Sequence, residues 1–121
     1  MRKLICLFLC FLLMGCGSSE TTYTTMSMKE AIKEMKNSSD FILVDVRTWE
    51  EYKDGHIPNA ICIPNESIKE EVVELKDKNQ KIYVYCRSGN RSKQAAQKLI
   101  DLGYTNVIEI GGIIDYTGEI E

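Results

Sequence analysis

The stretch Phe41-Ile42-Leu43-Val44-Asp45-Val46 is apolar at every position but one, and this limits how the chain can fold. A strand with one wet face alternates apolar and polar residues, because successive side chains point to opposite sides of the sheet. A run that is apolar on both faces has to be covered on both, as in a parallel sheet with helices above and below. Three shorter runs share its β-branched and aromatic character: AICIP from Ala60, KIYVY from Lys81 and NVIEI from Asn106. Together they predict an α/β fold, a central mostly parallel sheet flanked by helices on both faces.

The segments between the runs have helical spacing. Ser27 and Glu30 fit a capping box, with Ala31, Ile32 and Met35 as the apolar side of the helix they open. A short helix is expected from about Thr48 to Lys53, closed by Gly55 and followed by a turn around Pro58. Ile68, Val72, Val73 and Leu75 predict a helix over about Glu66 to Lys76. Ala95, Ala96, Leu99, Ile100 and Leu102 predict another from Asn90, with Gly103 as the residue that ends it.

The first residues read differently. MRKLICLFLCFLLMGC begins basic at Arg2 and Lys3, runs apolar from Leu4 to Met14 and ends at Gly15-Cys16, the outline of a secretory signal. The apolar part falls short of the roughly 20 residues that cross a bilayer as a helix. Leu13-Met14-Gly15-Cys16 resembles the lipobox of bacterial lipoproteins, which implies acylation of Cys16 and an extracytoplasmic protein held to the membrane by lipid. Cleavage nearby and release as a soluble secreted or periplasmic protein is the other reading. The polar residues that follow, GSSETTYTT, suit a tether. The expected organisation is therefore a signal peptide over 1–15, a tether over 16–25 and one domain over 26–121.

Loss of Arg2 and Lys3 takes 15 basic residues to 13 against 18 acidic ones, a net charge near −5. An acidic domain argues against nucleic acid as a partner. Of five cysteines, only Cys62 and Cys86 lie beyond Cys16, too few for a disulfide framework. With one histidine and no C-x-x-C, no metal site is expected.

Chemistry concentrates in Tyr85-Cys86-Arg87-Ser88-Gly89-Asn90-Arg91-Ser92, between a strand and a helix. Such a turn aims backbone N–H groups and a helix N-terminus at the sulfur, and both favour negative charge there. Arg87 and Arg91 add positive charge, so Cys86 should be a thiolate at neutral pH. Gly89 permits the tight turn.

Several motifs at matching separations carry a family resemblance. Asp45, Arg47, Glu50, Tyr52, Gly55, His56, Ile57, Pro58 and Ala60, then Cys86, Gly89, Arg91 and Ser92, then Gly111-Gly112 with Asp115-Tyr116, resemble a single-domain rhodanese, a thiosulfate sulfurtransferase-type domain. The resemblance implies a rhodanese-like fold and a persulfide cycle without a cofactor. Cys86 would take sulfur from a small anionic donor such as thiosulfate and pass it to cyanide or a thiol. Arg87 would meet the donor's oxygens, the loop Arg87 to Ser92 would bind it, and Arg91 would brace the loop against a carboxylate. Related phosphatases place the arginine after five intervening residues; here Arg91 follows four, a tighter ring suited to one sulfur atom.

Asp45, Arg47 and His56 are expected near the site in structural roles, Trp49 and Tyr52 in packing, Cys62 as a small buried residue, and the protein as a monomer. Two other functions stay open: an anion- or thiol-binding module without turnover, and redox chemistry between Cys62 and Cys86.

Overall fold

The computed structural model describes residues 22–121; the signal, the lipobox and Cys16 lie outside the described residues. In chain order the elements are β1 (Thr24–Thr25), α1 (Met28–Lys36), β2 (Ile42–Asp45), α2 (Trp49–Asp54), β3 (Ile61–Cys62), β4 (Ile82–Cys86), α3 (Asn90–Asp101) and β5 (Val107–Gly112). Single 3-10 turns lie at Asn65–Ser67 and Ile113–Asp115. The five strands form one sheet in the order β1-β5-β4-β2-β3, every pair parallel.

The apolar β2 run has the two-sided cover that its pattern demands. Val44 and Val46 face one core with Val84, Ala95, Ala96 and Leu99, beneath α3. Leu43 faces the other with Met28, Ala31, Tyr83 and Tyr85, beneath α1, and Tyr52 of α2 packs at its margin. Burying each such large aliphatic side chain stabilises the fold by about 1.5–3 kcal/mol, so neither face tolerates a polar stripe. Local signals set the helix starts. Ser27 Oγ accepts the Glu30 N–H at 3.1 Å, and Thr48 with Glu51 forms a complete capping box at the start of α2.

Two expectations fail. No helix spans Glu66 to Lys76: after the 3-10 turn the chain runs to β4 through bends and turns. Ile68, Val72 and Leu75 are nevertheless buried, whereas Val73 is 64% exposed. A helix here would align Glu66, Glu70 and Glu74 at i, i+4, repelling one another along one face, and its β-branched residues add little propensity. Instead the loop is tied down where it crosses α3. Asn65 Nδ2 donates to Gln94 Oε1 and Lys98 Nζ to the Asn65 carbonyl, each at 2.9 Å, and the Tyr104 hydroxyl donates to the Leu75 carbonyl. Three apolar anchors on an irregular loop thus cover the sheet where a helix was expected.

The second difference is at the sheet edge. Thr24 and Thr25, within the segment read as tether, pair with Ile108 and Glu109 of β5, and Tyr23 packs against the α3-side core. Exposed threonines suit an edge strand because β-branched residues fit a half-buried pleated surface.

Strand order also decides where a ligand can enter. From β2 the chain moves outward to β3; from β4 it moves the opposite way to β5. The loops leaving β2 and β4 therefore diverge and open a crevice at the carboxyl ends of these strands. Cys86 is the last residue of β4.

Candidate active site

Cys86 sits opposite Gly112 in the parallel ladder, after a register irregularity that follows Val84. This irregularity brings the end of β5 against the turn leaving β4. A Cβ on Gly112 would lie 2.0 Å from the Arg87 carbonyl oxygen and 2.6 Å from Ser88 Cα, so only glycine admits the turn so close. Gly89, at φ +112°, then reverses the backbone and caps α3.

The reversal turns amides inward. Gly89 N–H donates to Cys86 Sγ at 3.0 Å, and Ser92 Oγ lies 3.5 Å from the same sulfur. The sulfur is shielded, Cys86 being 1% exposed. Burial is the largest influence on this thiol and pushes it up; the Ser92 hydroxyl and the N–H groups of Ser92, Gly89 and Ser88 together outweigh it and bring the thiol below its ordinary value. The ring of donors, more than the arginines, favours the thiolate.

The arginines divide their roles. Arg91 reaches back across the crevice to Glu51 of α2, with Nη1 to Oε1 at 2.8 Å and Nη2 to Oε2 at 3.2 Å. This two-point pair ties the loop after β4 to the helix after β2. The Arg91 guanidinium is the main cause holding the Glu51 carboxyl down to about 2, with the Thr48 bonds of the α2 cap adding to it. Arg87 is exposed. Its carbonyl accepts the Ile114 N–H at 3.2 Å, but its guanidinium has no hydrogen-bond partner or ion pair among the described residues and stays available at the loop's outer edge. Ser88 and Asn90 are exposed beside it.

Other residues singled out by the sequence lie beside the crevice with partners of their own. Asp45 is fully buried and takes the Arg47 backbone N–H at 2.9 Å and its guanidinium Nη2 at 2.7 Å. Arg47 also donates to the Gly55 carbonyl at 2.6 Å. The pair thus satisfies its own charges and pins the turn around α2. His56 stacks on the Tyr52 ring at 3.7 Å between centroids, with Nδ1 2.9 Å from the Tyr52 carbonyl and Nε2 3.6 Å from Glu121; none of these contacts leads to Cys86. Trp49, half exposed, also stacks with the Tyr52 ring, at 5.4 Å between centroids.

Cys62 is remote from the sulfur chemistry. It pairs with Asp45, which pairs with Tyr85, so two strand spacings, about 9.6 Å, separate it from the residue next to Cys86. That exceeds the reach of a disulfide without backbone movement, and both cysteines are free. Burial, followed by the nearby Asp45, pushes the Cys62 thiol up to about 11.

Sequence reasoning misses two site residues. Glu51 is one of three acids on α2, and nothing local marks it as the partner of Arg91. Glu109, in the middle of the NVIEI run, is 1% exposed and accepts both the Ser92 hydroxyl at 2.5 Å and the Gly111 N–H at 2.8 Å. An acid inside an apolar strand was the available clue, because a buried carboxyl needs a specific partner.

The model of the family described as the rhodanese-like domain matches residues 28–118. The chain is 41% identical over 73 residues to the thiosulfate sulfurtransferase PspE of Escherichia coli, covering 60% of this chain and 70% of that protein. It is 37% identical over 94 residues to YrkF of Bacillus subtilis, named as a candidate sulfur carrier protein, covering 76% of this chain. The chain spans only half the length of that relative. The crystal structure of SSP1007 from Staphylococcus saprophyticus superimposes with a TM-score of 0.72 at 29% identity, over 81% of this chain and 98% of that one.

Proposed function

The chain belongs to the rhodanese-like domain family, and from that premise we propose that it is a sulfurtransferase working through a persulfide on Cys86. The Cys86 thiolate attacks the outer sulfur of an anionic donor such as thiosulfate. A Cys86–sulfur bond forms, the donor's S–S bond breaks, and sulfite leaves with the bonding pair. In the second step the thiolate of an acceptor, or cyanide, attacks the outer sulfur of Cys86–S–S⁻, and the Cys86 thiolate departs. The same N–H groups that hold the thiolate stabilise the persulfide anion.

The observation that carries this reading is the inward ring of donors on a buried sulfur, with Gly89 N–H at 3.0 Å. Arg87 supports it: a free planar cation at the rim suits the sulfonate oxygens of the donor. The similarity to PspE, named as a thiosulfate sulfurtransferase, supports thiosulfate as the donor class. We further propose that Cys16 is acylated and holds the domain outside the cytoplasmic membrane, a reading that rests on the Leu13-Met14-Gly15-Cys16 sequence.

Intact mass before and after thiosulfate tests both points. Wild-type protein gains the mass of one sulfur atom at Cys86, Cys86→Ser gains nothing, and protein from the native host carries acyl chains on an N-terminal Cys16. Absence of sulfane transfer to cyanide or to thiols from any common donor would sink the enzymatic reading.

A further inference from the structure

The α1 helix carries Lys29, Lys33 and Lys36 at i, i+4 and i+7, so the three lie along one side of it. All three are exposed, and none forms an ion pair among the described residues. With the apolar Met28, Ile32 and Tyr116 they line a groove of about 680 Å³, within the size range of small-molecule sites. The far bank is the segment from Asp115 to Glu119. It is held in place: the Tyr116 hydroxyl donates to the Glu119 carbonyl at 2.8 Å, and Glu121 exchanges two backbone hydrogen bonds with His56, at 2.9 and 3.2 Å.

The groove does not stop at α1. It shares Met28, Lys29 and Asp115 with a second cleft of about 350 Å³, which adds Lys93 of α3 and ends at Ser88 and Gly89 of the active-site loop. Gly89 N–H is the group that donates to Cys86 Sγ, so the path leads from the α1 lysines to the turn that holds the sulfur. Four lysines line it against two exposed acids, Asp115 and Glu119. Glu109, the third acid on the path, is buried and already accepts the Ser92 hydroxyl and the Gly111 N–H. The surplus is positive in a chain with 18 acidic and 15 basic residues, and such a local field draws an anion to this face.

We propose that this groove seats the sulfur acceptor, a thiol with an unbranched apolar chain and an anionic end; the proposal rests on the sulfurtransferase reading. Cys86 is 1% exposed, so the bulk of an acceptor stays outside the loop and only a narrow thiol end enters. The chain lies on Met28, Ile32 and Tyr116, where its methylenes leave water. Its anionic end meets Lys33 and Lys36, which line the groove but not the cleft beside the loop. The acceptor thiolate forms an S–S bond to the outer sulfur of Cys86–S–S⁻, the bond from that sulfur to Cys86 breaks, and the Cys86 thiolate keeps the electron pair. The acceptor leaves as its persulfide anion. Cyanide has no chain to lay in the groove and makes no use of it.

Two measurements on the full chain test it. Octanoate, which has the chain and the carboxylate without the thiol, is titrated calorimetrically into Cys86→Ser and into the same protein with Lys33→Glu and Lys36→Glu added, two exposed positions where exchange leaves the fold standing. The expected result is saturable binding that weakens about tenfold on charge reversal, and that weakens likewise with octanol in place of octanoate. Sulfur transfer from thiosulfate-loaded protein is then followed with 8-mercaptooctanoate, 8-mercaptooctanol and 3-mercaptopropionate. The first should have the highest kcat/KM, through a lower KM, and charge reversal should cut its advantage over 8-mercaptooctanol about tenfold. No octanoate binding, binding that charge reversal does not weaken, or equal kcat/KM for the three thiols overturns the proposal. Cyanide transfer without octanoate binding removes the groove alone, whereas octanoate binding without sulfur transfer to cyanide or any thiol removes the sulfurtransferase reading and the acceptor role with it.

Discussion

Gly112→Ala puts the site's construction under direct strain. The added Cβ would sit 2.0 Å from the Arg87 carbonyl oxygen, 2.4 Å from its carbon and 2.6 Å from Ser88 Cα, all backbone atoms that cannot rotate away. Ordinary contact needs roughly 3.5 Å, so the turn must retreat by about 1 Å or more. Gly89 N–H, now 3.0 Å from Cys86 Sγ, would then leave hydrogen-bond range. The thiol should rise toward its ordinary value, lowering its alkylation rate at pH 7. Sulfur transfer from thiosulfate should fall about 10²-fold, the cost of a 1 Å misplacement. Overpacking destabilises by about 1–3 kcal/mol, a fall in Tm of at least about 4 °C. The control is Gly103→Ala, where φ is +100° but a Cβ meets nothing within 4 Å; it should lower Tm and leave the thiol alone. An unchanged rate-against-pH profile for Cys86 in Gly112→Ala would refute the reasoning, because the turn would have absorbed the methyl without moving the donors.

Glu51→Gln should weaken the fold at neutral pH by about 1 kcal/mol, a value reduced for screening because both partners of the Arg91 pair are about a third exposed. The folded carboxyl is held down to about 2 against an ordinary 4.5, so its contribution is complete above pH 4.5 and disappears as pH falls toward 2. Urea unfolding at neutral and low pH should show the gap from wild type closing between those limits; a gap that persists at pH 2 contradicts the assignment. Cys62→Ala should leave the alkylation of Cys86 against pH unchanged, since the Cys62 thiol lies at about 11, and mapping by mass at pH 7 should find Cys86 modified first of these two. Leu99→Ala, at a position fully buried beneath α3, should cost about 2–5 kcal/mol with no change of denaturant slope; a loss under 1 kcal/mol would mean the α3 face is looser than described.

Features carried by neighbours in sequence were legible, and features carried by the sheet were not. The β2 run declares cover on both faces, Ser27 and Glu30 declare a helix start, and Cys86 to Ser92 declare a strand–turn–helix with a thiol at its head; each depends on residues a few positions apart. The same local logic misreads Glu66 to Lys76, because three apolar residues at helical spacing also serve as three anchors on an irregular loop, where Glu66, Glu70 and Glu74 need not line one helix face. It passed over Thr24-Thr25, whose strand exists only because β5 offers an edge.

The active site shows why register matters most. Arg91 meets Glu51, 40 residues away in the chain, because loops leaving β2 and β4 border one crevice. Glu109 lies behind Ser92, 17 residues away, because β5 pairs with β4 so that Gly112 stands opposite Cys86. From there the sequence explains itself. Gly112 must lack a side chain where the turn touches β5, and Glu109, three residues earlier, faces α3 at the level of Ser92. A chain with an apolar residue in place of Glu109 would close the same turn and keep the same amides around the sulfur. It would leave the Ser92 hydroxyl only backbone carbonyls to bond and the Gly111 N–H without its carboxylate acceptor. The loop motif accounts for a thiolate; the acid in the neighbouring strand accounts for how Ser92 and Gly111 are held beside it.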